Sequence, residues 1–248
     1  MGRKHVDRRP LTKTAVILQP GYLPWLGFFE QYYRCDVFVI YDDVQYDKDG
    51  WRNRNRIKTV TGWQWLTVPV LTSGQNKPLV KDTRINNKTN WPKKNLASIQ
   101  QNYAKAPYFQ DYIDAIQQTY TRKWDFLIDL DMHFIRLLAG WLGLEREVRF
   151  ASELGGLDAG STARLVHICQ AVGADIFYEG AAGKNYLDEA QFEQHGIRLE
   201  YQQYDHPEYT QLHGEFVAYM SVLDLLLNHG PESLTILTHK DTLEMTTS

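Results

Sequence analysis

Apolar and polar positions alternate between two kinds of run along this chain. "TAVILQP", Thr14 to Pro20, is a short apolar run stopped by Pro-Gly and predicts a buried strand. "GYLP" reads as a turn. "WLGFFEQYYRC", Trp25 to Cys35, predicts a helix, with Pro24 near its first turn where a missing N–H does no harm. "DVFVIYDD", Asp36 to Asp43, predicts a second strand, β-branched and aromatic, ending in acid. Strand, turn, helix and strand in this order form a βαβ unit, which makes the two strands parallel.

The pattern then changes. In "GWRNRNRIKT" an extended chain puts Arg52, Arg54, Arg56 and Lys58 on one face and Trp51, Asn53, Asn55 and Ile57 on the other. "WQWLTVPV", Trp63 to Val70, is a further strand, with Pro69 placing it near an edge or a strand end. A helical block follows, punctuated by Pro92 and Pro107. It closes with "WDFLIDLDMHFIRLLAGWLGL", where Leu127, Leu130, Phe134, Leu137, Leu138 and Trp141 make a core face. His133 lies inside that face and reads as a packed histidine. From Gly160 the βα alternation resumes. A helix to Val172 is capped by Ser161, "DIFYEG" is a strand, "NYLDEAQFEQHG" a short helix closed by Gly196, and "IRLEYQQY" another strand. One more apolar helix is expected around Val217 to Leu227.

The fold class is therefore α/β: a mainly parallel sheet flanked by helices, with an additional helical segment in the middle of the chain. The expected organisation is a disordered basic tail over 1–13, one α/β domain over 14–238 with its helical insertion at about 92–144, and a tail over 239–248.

Composition narrows the function classes. Charged residues are 23% and apolar residues 43% of the 248, an ordinary balance for a globular protein. The formal net charge of −3 disfavours nucleic acid and anionic membranes as partners. Two distant cysteines, Cys35 and Cys169, suggest neither a disulfide framework nor a zinc knuckle. "AVIL" is too short for a signal peptide or a membrane span, so a cytoplasmic protein without membrane insertion is expected. No nucleophile elbow, Walker loop, HExxH or GxGxxG occurs, no metal-ligand spacing appears, and nothing names a cofactor. What remains is positioning, acid–base work by Asp or His, and electrostatic stabilisation by Arg, Lys and amides.

In an open α/β sheet, ligands bind beyond the carboxyl ends of the strands. Gln19, Pro20 and Tyr22 follow the first strand, and Asp42 and Asp43 finish the second. One pocket is expected to be lined by Gln19, Tyr22, Trp25, Asp42, Asp43, Gln45, Asn53, Arg54 and Asn55. Within it, Arg54 would hold phosphate or carboxylate, Gln19 and the asparagines polar groups, and Trp25 or Tyr22 would stack a sugar or base. Asp42 or Asp43 is the candidate base. Adjacent residues at a strand end point to opposite sides, so one acid can face the pocket while the other ties down the loop. "EGAAGKNY", Glu179 to Tyr186, follows another strand end, and its Lys184 is a further candidate for an anion.

"LQPGYLPWLGFFEQ", "DVFVIYDDVQY", "WRNRNRIKT", "WLTVPV", "HPEYTQ" and "SVLDLLLNHGP" together resemble the WbqC-like family, from about Ala15 to about Ser233. The resemblance implies a bacterial protein of surface-glycan or O-antigen clusters. It also implies a transferase moving an amino acid (glycine) or acyl group onto a sugar or its nucleotide-linked precursor, with a small-molecule or sugar-nucleotide substrate. Glu179 departs from the family pattern, which implies a small hydroxyl residue before Gly180. A strand, Pro/Gly turn, helix and acid-ended strand also resemble nucleotidylyltransferase-like α/β folds, but the turn lacks their histidine. Two other readings stand beside the transferase: a non-catalytic ligand-binding or scaffold protein, and a nucleic-acid binding or modifying protein built on the basic row.

Overall fold

The structure is a computed structural model and describes residues 12–72, 78–156 and 161–239. The expected tails, up to residue 11 and from 240, lie outside the described residues, as does Gly160.

Five strands form one wholly parallel sheet in the order β5-β2-β1-β6-β7. They are β1 (Thr14–Leu18), β2 (Val37–Ile40), β5 (Glu147–Phe150), β6 (Ile176–Glu179) and β7 (Arg198–Tyr201). β1 and β2 run in register from Ala15 opposite Val37 to Leu18 opposite Ile40. The βαβ expectation holds, and α1 (Leu26–Arg34) supplies the crossover. An α/β protein results because the central strands are apolar on both faces and must be covered on both.

Alternation along the strands sorts the core into two layers. Val16, Phe38 and Ile40 face one side, against Leu26, Phe28, Phe29 and Tyr32 of α1. The helical block continues that layer: α2 (Trp91–Tyr103), α3 (Phe109–Thr121) and α4 (Leu127–Trp141), then α7 (Val222–His229) and α8 (Ser233–Thr238). Ala15, Ile17, Val37, Val39 and Phe177 face the other side, against Leu165, Ile168 and Cys169 of α5 (Thr162–Ala171) and Phe192 of α6 (Glu189–Gln194). Each fully buried side chain of this size contributes about 1.5–3 kcal/mol. Ser161 caps α5 as expected, its hydroxyl accepting from the Arg164 amide. Both thiols are buried, which pushes each pKa up to about 12.

Several elements differ from expectation. β5 was not expected: "EVRF" alternates charged and apolar residues, with Val148 and Phe150 against the core, but over only four residues at the sheet edge, where pairing with β2 makes it a strand. α7 begins at Val222 rather than near Val217, because Tyr219 takes a left-handed φ of 61° and Ser221 caps the helix. β3 (Arg54–Thr59) and β4 (Gly62–Thr67) form a separate antiparallel hairpin. The strand expected to reach Val70 therefore stops at Thr67.

Candidate functional site

A cavity of about 400 Å³ opens beyond the carboxyl ends of β1, β2 and β6. Its walls come from Ile17 and Leu18 at the end of β1 and Gln19 just after it, from Tyr41, Val44 and Gln45 after β2, from Glu179 at the end of β6, and from Arg52, Leu165 and Tyr186. Parallel strands all end on the same edge, so the loops that leave them meet there.

Glu179 is 7% exposed and its pKa is raised to about 7. Burial is the main cause, opposed by hydrogen bonds from the Gly180 amide and the Tyr186 hydroxyl, the latter at 3.4 Å. The carboxylate fits only because residue 183 is glycine, where an added Cβ would stand 2.5 Å from Glu179 Cγ. Opposite it, Arg52 donates to the Gln19 carbonyl at 3.4 Å, and burial lowers its pKa. Its Nε and the Gln19 Oε1 are buried without a partner. Behind Arg52, Asp131 of α4 is fully enclosed, with Oδ1 unpartnered. Burial holds its carboxyl well above the usual range, and the Arg52 charge opposes that shift. A cavity carrying a cation, an amide and a carboxyl that titrates near neutrality can bind an anionic substrate and move a proton at it.

Of the nine residues predicted to share one pocket, Gln19 and Gln45 line this cavity. The others are engaged elsewhere. Asp42 accepts from the Ser152 amide at 2.9 Å and from its hydroxyl at 2.6 Å. Asp43 is paired at 2.6 Å with Arg164, which is 1% exposed. Both carboxylates thus tie the loop after β2 to the rest of the fold. Tyr22 lies wholly inside the aromatic core, hydrogen-bonded to Tyr120 and Asn95, and burial drives its pKa far up. Trp25 packs against Tyr204, His206 and Tyr219. Asn55 donates to the carbonyl of Leu23, a residue held at a left-handed φ of 47°, so it braces the "GYLP" turn. Asn53 binds the Val68 carbonyl. Arg54 lies over Trp65, and Lys184 over Tyr201, neither lining the cavity. The basic row also divides. Arg54 and Arg56 share a face of β3, Arg52 precedes the strand and turns into the cavity, and Lys58 is buried with its ammonium on the Glu215 carbonyl.

Sequence reasoning left Arg52, Glu179 and Tyr186 out of its site. Arg52 was legible only as one of four alternating cations. Glu179 and Tyr186 were visible as the ends of a glycine-containing loop after a strand, a weak signal by itself. Arg164→Met tests how far the Asp43 pair supports the site. It leaves a carboxylate without its partner, and the folded state should lose about 3–5 kcal/mol in urea denaturation. A loss under 1 kcal/mol would mean that this pair does not anchor the loop.

A WbqC-like protein family model matches residues 19–236. The chain belongs to the WbqC-like protein family. A curated relative, an uncharacterized protein of Mycobacterium tuberculosis designated Rv1507c, is 35% identical over 223 residues, covering 89% of this chain and 96% of the relative. No solved structure matches. Among the described residues of this WbqC-like protein, no helix is long and apolar enough to cross a membrane. Nor does any group of three or more His, Cys, Asp or Glu among them come together to hold a metal ion.

Proposed function

We propose that this WbqC-like protein is a cytoplasmic transferase of bacterial surface-glycan assembly, moving an acyl or aminoacyl group, glycyl among them, onto a sugar or its nucleotide-linked precursor. The observation that carries this reading is the Glu179 carboxyl, poised near neutral pH in the same cavity as Arg52. In the transfer, the sugar amine or hydroxyl forms a new bond to the acyl carbon while the bond from that carbon to the donor's leaving group breaks. The attacking group gives up its proton, which the leaving group can then take. A carboxylate with pKa near 7 is ionised often enough to accept it and basic enough to help. Arg52 anchors the phosphate or carboxylate of the donor by charge-assisted hydrogen bonds. Gln19 and Gln45 supply amide groups for the polar substituents of a sugar. Glu179 stands where the family resemblance implies a small hydroxyl residue, so the base belongs to this chain's own variant of the site.

Native mass spectrometry of the protein purified from its host tests this reading. A retained sugar nucleotide, or an acyl or aminoacyl species, is the expected result. Arg52→Ala should weaken that retention by roughly ten- to a hundredfold, the loss of one charge-assisted contact of about 1.5–3 kcal/mol. Retention equal in Arg52→Ala and the parent protein would remove Arg52 as the anchor.

A further inference from the structure

We propose that the outward face of the β3–β4 hairpin is a docking surface for an anionic glycan, a chain of uronic-acid sugars whose end reaches the cavity. The inference rests on the glycan-transferase reading and extends it from the reacting group to the acceptor chain.

Strand pairing places Arg54 opposite Thr67, Arg56 opposite Trp65 and Lys58 opposite Trp63. The side chains interact along the diagonals. The Arg54 guanidinium lies 4.7 Å from the Trp65 ring, and that of Arg56 lies 4.9 Å from Trp63 and 4.8 Å from Trp51. The three indoles meet edge to face, Trp51 with Trp65 at 4.9 Å and Trp63 with Trp65 at 5.5 Å. The result is a braced surface of alternating rings and cations. The opposite side of the hairpin is core: Asn55, Ile57 and Leu66 are buried.

Two properties point outward. Trp51 is 40% and Trp63 43% exposed, although large aromatics ordinarily gain most from leaving water. Neither Arg54 nor Arg56 has a carboxylate partner among the described residues. Their hydrogen bonds go instead to backbone oxygens, Arg54 to the Asp49 carbonyl and Arg56 to the Tyr219 carbonyl. Arg54 and Arg56 are two residues apart on one strand, so their backbones stand about 7 Å from one another and their side chains leave on the same face. Each guanidinium is a planar fork that matches a carboxylate, and the exposed rings offer flat apolar faces for the C–H faces of pyranose rings.

Charge decides against a nucleic-acid strand. Two phosphate contacts would give a salt dependence of only about −1.4 in log–log slope, where nucleic-acid proteins commonly use 6–10 contacts. A glycan that spaces its carboxylates with apolar ring faces needs only what the hairpin presents. Trp51 adjoins Arg52, whose side chain lines the cavity, so the surface leads to the proposed reaction site.

Titration of the full-length protein with an oligogalacturonate, followed by tryptophan fluorescence, tests this. A neutral malto-oligosaccharide and an oligothymidylate of similar length serve as comparisons. The expected result is binding of the oligogalacturonate alone, weakened by added salt. Trp63→Ala and Arg56→Gln, from opposite strands, should each weaken it about tenfold or more, as for a central anchor, with melting temperature checked alongside. No binding, binding unchanged in both variants, or preference for the oligothymidylate or the neutral sugar would each overturn the proposal. The titration needs no turnover and no bound donor. A failure here leaves donor retention in the cavity untouched, and loss of donor retention leaves this binding untouched.

Discussion

Glu179→Gln is expected to lower turnover by about 10²–10⁴-fold, the range for removing a positioned acid–base group. On the transferase reading, the parent protein should show a rise in kcat/KM centred near pH 7, following ionisation of the carboxyl raised to about 7. In the variant that limb should vanish while donor retention persists, since the amide keeps the size of the side chain and one acceptor oxygen. The same substitution has a stability signature. The folded protein holds the Glu179 proton more tightly than the unfolded chain does, whose carboxyl titrates near the ordinary 4.5. The contribution is therefore fully present below pH 4.5 and is lost as pH rises through about 7. Above that pH the parent protein carries a buried charge that the amide lacks. Glu179→Gln should then be the more stable of the two by up to about 3 kcal/mol at pH 8, with no advantage at pH 4.5. Urea denaturation at both pH values reads this. Equal stability at pH 8 together with an unchanged pH–rate profile would remove Glu179 from the chemistry.

Asp224→Ala is expected to cost about 3–5 kcal/mol and to unfold much of the protein at 37 °C. Asp224 is fully buried on α7. One of its oxygens accepts from the Tyr103 hydroxyl at 2.6 Å, and the other accepts from the Tyr209 hydroxyl and the Gln211 amide, each at 2.9 Å. Burial raises its pKa, and these three donors together with the Lys58 charge oppose the shift. The Tyr103 hydroxyl in turn accepts from the Lys58 amide of β3. The carboxylate thus joins α2, α7, the loop before α7 and the hairpin through one buried network. Truncation strands three donors at once, while Asp224→Asn keeps an acceptor and should cost less. Chemical denaturation of the two variants checks the ranking. A loss under 1 kcal/mol for Ala would show that water replaces the carboxylate.

The order of elements was set by local pattern. The apolar runs at Thr14–Leu18 and Val37–Ile40, flanking a helix with Pro24 before it, dictate a right-handed parallel unit, and little else can cover two apolar strand faces. Local chemistry also settled the Ser161 cap and the edge where the cavity lies, because all parallel strands end together. Which side chains enter that cavity depended on residues distant in sequence. Asp42 and Asp43 carry the same local signal as a catalytic pair, but Ser152 engages both oxygens of Asp42 and Arg164 one oxygen of Asp43, each from more than a hundred positions away. Glu179 had no such signal until burial beside Tyr186 and Gly183 withheld water from its charge. Arg52 and Arg54 are two residues apart in one basic row. Arg52 precedes the first hairpin pairing, so it turns into the cavity, while Arg54 is held by register over Trp65. Residue type and spacing fix secondary structure and sheet order through short-range sterics and burial; desolvation and partner choice, which assign chemical roles, arise only when the chain closes on itself.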